Sequence, residues 1–137
     1  MNVQRTGIVL RPNPARVVFR PFAPTSEERA LKITARLSAL SESDVETLLL
    51  DVLEEFGDRH QQIQRFFANR FEHVKQHLLT DQPLTYSRKL LIGAYFTQEY
   101  ALESAALFNP SMVWHPSQDD LPEGTKRFIL SLRATGE

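Results

Sequence analysis

Apolar residues recur at helical spacing through the middle of the chain and give way to alternation towards both ends. Thr25-Ser-Glu-Glu28 has the spacing of a capping box, a hydroxyl followed three residues on by a glutamate. Ala30, Ile33, Thr34, Leu37 and Leu40 then repeat every three to four residues and predict a first helix. Ser41-Glu-Ser-Asp44 is a second start signal. It leads into Val45, Leu48, Leu49, Val52, Leu53 and Phe56, with Gly57 as the stop. Ile63, Phe66, Phe67, Phe71, Val74 and Leu78 share one face of a third predicted helix, broken by Asp81-Gln-Pro83. A fourth is predicted from about Thr85 to Leu107, carrying Leu90, Leu91, Ala94, Tyr95, Leu102, Ala105 and Ala106. Gly93 within it costs about 1 kcal/mol against alanine, which points to close helix packing there.

The ends read differently. Gly7–Leu10 and Arg16–Phe22 are predicted extended, the second for its β-formers Val17, Val18 and Phe19. Arg11-Pro-Asn-Pro14 between them forbids a helix and favours a turn. Beyond the fourth helix, Phe108–Trp114 and Lys126–Ala134 predict two strands, the second with Phe128, Leu130 and Leu132 on one side. His115–Gly124 is polar, holds Pro116, Pro122 and Gly124, and reads as a long loop. A two-stranded hairpin is marginal alone in water. The sequence stops directly after the second strand, so the expectation is a fragment of a longer product.

These elements predict a mainly α chain. An extended arm spans 1–24, a bundle-like domain of about four helices spans 25–107, and a β-hairpin spans 108–137. A length of 137 residues is ample for a core. The net charge of −1 is unevenly spread: residues 1–24 hold Arg5, Arg11, Arg16 and Arg20 and no acid, whereas 25–81 sum to −4. The ordinary role of such an arm is docking on the acidic helices. Nucleic-acid binding would call for a denser basic cluster, and no nucleic-acid partner is expected. There is no cysteine, which removes disulfides, thiolate metal sites and cysteine nucleophiles together. No apolar run reaches the ~18–20 residues of a membrane span, and Met1–Arg11 lacks a signal-peptide core. The expectation is a cytoplasmic chain without a membrane partner.

Candidate chemistry is sparse. His73 and His77 lie four apart, a spacing that can share a metal, but Val74 stands where a zinc protease needs glutamate and no third ligand is suggested. No metal or other cofactor is expected. Glu54 and Glu55 are adjacent and point to different helix faces. Asp58-Arg-His60 reads as a polar helix start, and Asp119-Asp120 as a solvated loop. Ser87, Ser104 and Ser111 lack a nucleophile-elbow setting, and no glycine-rich phosphate loop exists. Three features stand apart. Leu91–Tyr100 mixes polar and aromatic residues into a helix that should be buried, Phe108-Asn-Pro-Ser111 sets short polar groups at a helix-to-strand junction, and Arg133 ends an apolar strand. A buried arginine needs a partner. Arginine, asparagine and serine at strand ends are the donors expected for sugar hydroxyls or phosphate.

At these residues the sequence resembles glycoside hydrolase family 130, and within it the members with a helical N-terminal extension. The resemblance rests on Leu90–Thr97, Glu99-Tyr100, Ala105–Val113 and Arg127–Glu137, with Val9–Phe22 fitting the same group. It covers nearly the whole chain, and Phe108–Val113 with Leu132-Arg-Ala134 is its most specific part. The resemblance implies a parent with a five-bladed β-propeller that cleaves β-mannosidic bonds in an oligosaccharide with inorganic phosphate or with water. Phosphate would be a co-substrate. Inversion requires the acid and the attacking group on opposite faces of the sugar.

By the same resemblance, Asn109, Ser111 and Arg133 are the candidate substrate-binding residues, facing the sugar or phosphate. The family's catalytic aspartate lies in a later blade and nothing here matches it, so no catalytic residue is assigned and the chain alone is expected to be inactive. The helices would mediate homo-oligomerisation or cover part of the active-site mouth. The competing expectation is a stand-alone helical protein-interaction or oligomerisation module.

Overall fold

The computed structural model describes residues 6–137. Among them are helices α1 (Glu27–Ser38), α2 (Glu42–Phe56), α3 (Ile63–Val74) and α4 (Tyr86–Tyr95), with a 3₁₀ turn over Lys75–His77. Strands are β1 (Val17–Pro21), β2 (Thr97–Ala101), β3 (Ala106–Trp114) and β4 (Phe128–Thr135). β1 pairs with β2 and β3 with β4, in two separate two-stranded sheets. Compact contacts divide the chain into Val17–Tyr100 and a second unit formed by residues 6–16 with Ala101–Glu137. No helix among the described residues is long and apolar enough to cross a membrane.

The chain is therefore mixed α/β and not mainly helical. The fourth helix, expected to run to Leu107, ends at Tyr95, and β2 and the start of β3 occupy the rest. The reason lies at Phe96. In a continued helix its carbonyl would accept from the Tyr100 N–H. Here it accepts from the Phe22 N–H at 2.9 Å and from Arg70 Nε at 2.8 Å. The Thr97 hydroxyl donates to the Gly93 carbonyl at 2.8 Å and closes the helix end. Of the polar and aromatic run that fitted a buried helix poorly, Leu91–Tyr95 is helix and Thr97–Tyr100 is strand.

The arm is corrected too. Only Val17–Pro21 forms a strand, and Gly7–Leu10 does not. The proline-rich stretch turns as expected, with the Arg16 N–H on the Asn13 carbonyl at 3.1 Å. Arg5, assigned to the basic arm, lies outside the described residues.

Within Val17–Tyr100 the helix starts follow their caps. Ser26, one residue after the expected Thr25, accepts from the Arg29 N–H, and Ser41 accepts from the Asp44 N–H. Apolar faces of α1 to α4 meet in a core of Ala30, Leu37, Val45, Leu49, Phe67, Phe71, Val74, Leu90, Leu91, Ile92 and Phe96. Gly93 sits where a Cβ would overlap the Phe67 carbonyl, so α3 and α4 approach backbone to backbone. Phe19 of β1 closes one side of this core against Phe56, Phe66 and Phe67.

Arg88, 6% exposed, fastens the helix ends. Its guanidinium donates to the Leu37 carbonyl, to the Leu40 carbonyl at 2.7 Å, and to Glu42 Oε1 at 2.7 and 3.0 Å. The last carbonyls of α1 and the first turn of α2 are satisfied by one side chain of α4.

Two substitutions test this packing by urea unfolding. Gly93→Ala is expected to cost about 1–3 kcal/mol, because the backbone of α3 must move. Arg88→Met is expected to cost about 3 kcal/mol, since it leaves buried carbonyls without donors.

Candidate functional site

The three sequence-predicted residues fall in the β3–β4 hairpin. Its register pairs Phe108 with Arg133, then Ser111 with Ser131, Met112 with Leu130, Val113 with Ile129 and Trp114 with Phe128. One extra residue of β3 intervenes between Phe108 and Ser111, which makes Asn109-Pro110 a bulge. Pro110 has no N–H to give the ladder, and Asn109 takes φ 50°, a left-handed conformation that asparagine tolerates.

Directly opposed residues share a face. Phe108, Ser111, Val113, Ile129, Ser131 and Arg133 therefore lie on one side, and Met112, Trp114, Phe128 and Leu130 on the other. The hairpin brings Ser111 and Arg133 to one face and sets Asn109 in the bulge beside them. Arg133 was expected to be buried enough to need a partner, but it is exposed and its guanidinium stands 6.0 Å over the Phe108 ring. The loop that connects the two strands is held by Gln118. Its amide nitrogen donates to the His115 and Arg127 carbonyls, and its oxygen accepts from the Arg127 N–H at 3.0 Å.

Apolar side chains line both faces of this hairpin and stay exposed. Trp114 is 66% exposed, Met112 and Val113 59%, and Ile129 and Leu130 44%. A sheet that turned one face to a core would alternate apolar with polar.

Other polar groups cluster where sequence spacing gave no sign. In the unit holding the hairpin, Glu103 is buried and pairs with Arg16 at 3.1 Å, and the neighbouring Ser104 hydroxyl is buried with no partner among the described residues. In Val17–Tyr100, Glu99 on β2 receives Arg59 Nε at 3.1 Å, Arg59 Nη2 at 3.2 Å and the His60 ring at 2.6 Å. The Phe19 ring stacks on His60 at 3.5 Å. Asp58-Arg-His60, expected as a polar helix start, is not one: α3 begins at Ile63, and the His60 side chain is 8% exposed. His60 and Glu99 stand 39 residues apart, and no local spacing in the sequence marks the pair.

Burial pushes the Glu99 carboxyl up, but the hydrogen bonds from Arg59 and His60, with their charges, outweigh it and leave the group below the ordinary glutamate value. These groups satisfy one another, so the cluster is a lock between β2 and the α2–α3 connection. His73 gives one ring nitrogen to the Asn69 carbonyl, and no group of three metal-ligating side chains exists among the described residues.

The chain matches no family model, no curated protein and no solved structure.

The Glu99 lock has a pH signature. A depressed folded value gives stability that is fully present above the unfolded value near 4.5 and lost as pH falls through the folded one. Acid unfolding followed by helical circular dichroism is expected to steepen below pH 4.5 in the wild type. Glu99→Gln is expected to be less stable at neutral pH and flatter across that window.

Proposed function

We propose that this chain is the N-terminal part of a carbohydrate-active enzyme that cleaves β-mannosidic bonds with phosphate or water, and that it contributes a helical unit and the first strands of a larger β domain. The observation that carries this reading is the β3–β4 hairpin, with apolar side chains exposed on both faces and, among the described residues, no third strand on either edge. Two strands in that condition gain little by themselves, and further strands and a covering layer would bury Met112, Trp114, Phe128 and Leu130. Asn109, Ser111 and Arg133, at the bulge and on one face, are the proposed contacts to sugar hydroxyls or phosphate. The lack of cysteine agrees with a cytoplasmic enzyme.

No general acid is assigned on the hairpin. Asp119 is exposed and bonded to Ser117, and Glu103 is tied to Arg16. A second reading, a stand-alone interaction or oligomerisation module, draws on the ordered loop clamp at Gln118, which fixes the hairpin without further strands.

The deciding experiment reads the gene beyond the codon for Glu137 and assays the full product. An open frame continuing into short strands, with phosphate-dependent or hydrolytic release of mannose from a β-mannoside, is expected, while the 137-residue chain gives no turnover. A stop codon there, or a full product inert on β-mannosides, overturns the enzyme reading.

A further inference from the structure

Arg70, His73 and His77 lie three and four residues apart, on one face of α3 and the 3₁₀ turn that follows it. All three line a cavity of about 480 Å³ whose wall also includes Glu27, Gln76 and Phe96. None of these residues belongs to the hairpin or to the Glu99 cluster.

Arg70 is half-buried and gives Nε and Nη2 to the carbonyls of Phe96 and Phe22, at 2.8 and 2.9 Å. Both acceptors are neutral, and no carboxylate pairs with it among the described residues. A guanidinium drawn partly out of water without a counter-anion is costly. Burial accordingly pulls its pKa down with no acid to oppose the shift. Its remaining terminal nitrogen is free to donate.

His73 is oriented beside it. Nδ1 bonds to the Asn69 carbonyl at 2.7 Å, which leaves Nε2 as the free ring nitrogen. His77 is held by its ring stacked on Phe96. One permanent cation and two imidazoles suit an oxyanion with an exchangeable proton, which is the chemistry of a phosphate monoester.

Glu27 is the group that shapes the rest of the ligand. A carboxylate repels a bare anion but accepts from hydroxyls, and Gln76 can both give and accept. The cavity falls within the ~300–1,000 Å³ of small-molecule sites, roomier than a bare oxyanion needs. We propose that this cavity binds a phosphorylated sugar, its phosphate on Arg70, His73 and His77 and its hydroxyls on Glu27 and Gln76. The site stands on the helical unit and is independent of the mannoside reading.

Histidine ring-proton NMR of the 137-residue chain tests it, because the sequence has four histidines and His60 and His115 serve as internal references. Glucose 1-phosphate and glucose 6-phosphate are titrated, with inorganic phosphate and glucose as controls. Saturable shifts at His73 and His77 are expected with at least one hexose phosphate, at least about fivefold tighter than with inorganic phosphate, and none with glucose.

Arg70 also holds two backbone carbonyls, so the variants avoid it. His73→Ala, at unchanged Tm, is expected to weaken hexose phosphate at least about fivefold. Glu27→Gln is expected to weaken hexose phosphate and leave inorganic phosphate unchanged or tighter. Three results would each overturn the proposal. These are no saturable shift with either sugar phosphate, equal affinity for inorganic phosphate, and shifts confined to His60 or His115.

Discussion

Arg88 stands where three helices must end or begin together, and the helical unit is organised around that demand. Helix α1 finishes with carbonyls that no intrahelical N–H can reach, and α2 starts only a few residues later. The end of α1 is drawn inward at the buried Leu37, while Glu42 at the start of α2 stays exposed. A single planar cation with several donors answers the carbonyls of Leu37 and Leu40 and the carboxylate of Glu42 together. The Thr85 hydroxyl, capping α4, donates to the other oxygen of Glu42 at 2.7 Å and holds it in place. That bond, followed by those from Arg88, keeps the Glu42 carboxyl below its ordinary value. With the α1–α2 corner fixed, α4 can lie against α3 closely enough that only glycine fits at position 93.

How α4 ends is decided by tertiary partners. Its sequence, through Leu102, Ala105 and Ala106, keeps a helical period that the backbone does not follow. The Phe96 carbonyl is taken by Phe22 and Arg70, residues 74 and 26 positions away, before a further helical turn can claim it. Local propensity had left a trace, since Tyr95, Phe96, Thr97 and Tyr100 all favour strands. The trace gains weight only once β1 is seen to need a neighbour. β1 was legible from Val17, Val18 and Phe19, but its partner was not, because pairing between distant segments leaves no periodic mark.

The same distinction runs through the polar groups. Ser41 and the stop at Gly57 were readable because caps are local. The apolar faces of α1 to α3 were readable because burial imposes a period. Asn109 and Pro110, read along the sequence as a helix-to-strand junction, instead form a bulge inside β3. By contrast, Arg59, His60 and Glu99, and likewise Arg16 and Glu103, meet only through the fold, and each looks like ordinary surface charge along the chain. Arg133 erred in the other direction: an apolar setting in sequence suggested burial, yet the hairpin leaves both of its faces open.

That openness sets apart the two ways in which this chain stabilises structure. Between Val17 and Tyr100 the apolar faces of the helices meet in a core, and the buried Arg88 and half-buried Arg59 and Glu99 are tied to helix ends or to one another. In the β3–β4 hairpin the apolar side chains stay exposed, and order comes from backbone pairing and the Gln118 amide. Cross-strand pairs contribute roughly 0.2–1 kcal/mol each, too little to hold two strands firmly in water. A surface of Trp114, Phe128, Met112 and Leu130 gains far more from being covered, at about 25 cal/mol per Å² of apolar area removed from water. The apolar residues on both faces of this hairpin are thus of the type found in buried strands, and water meets them here instead.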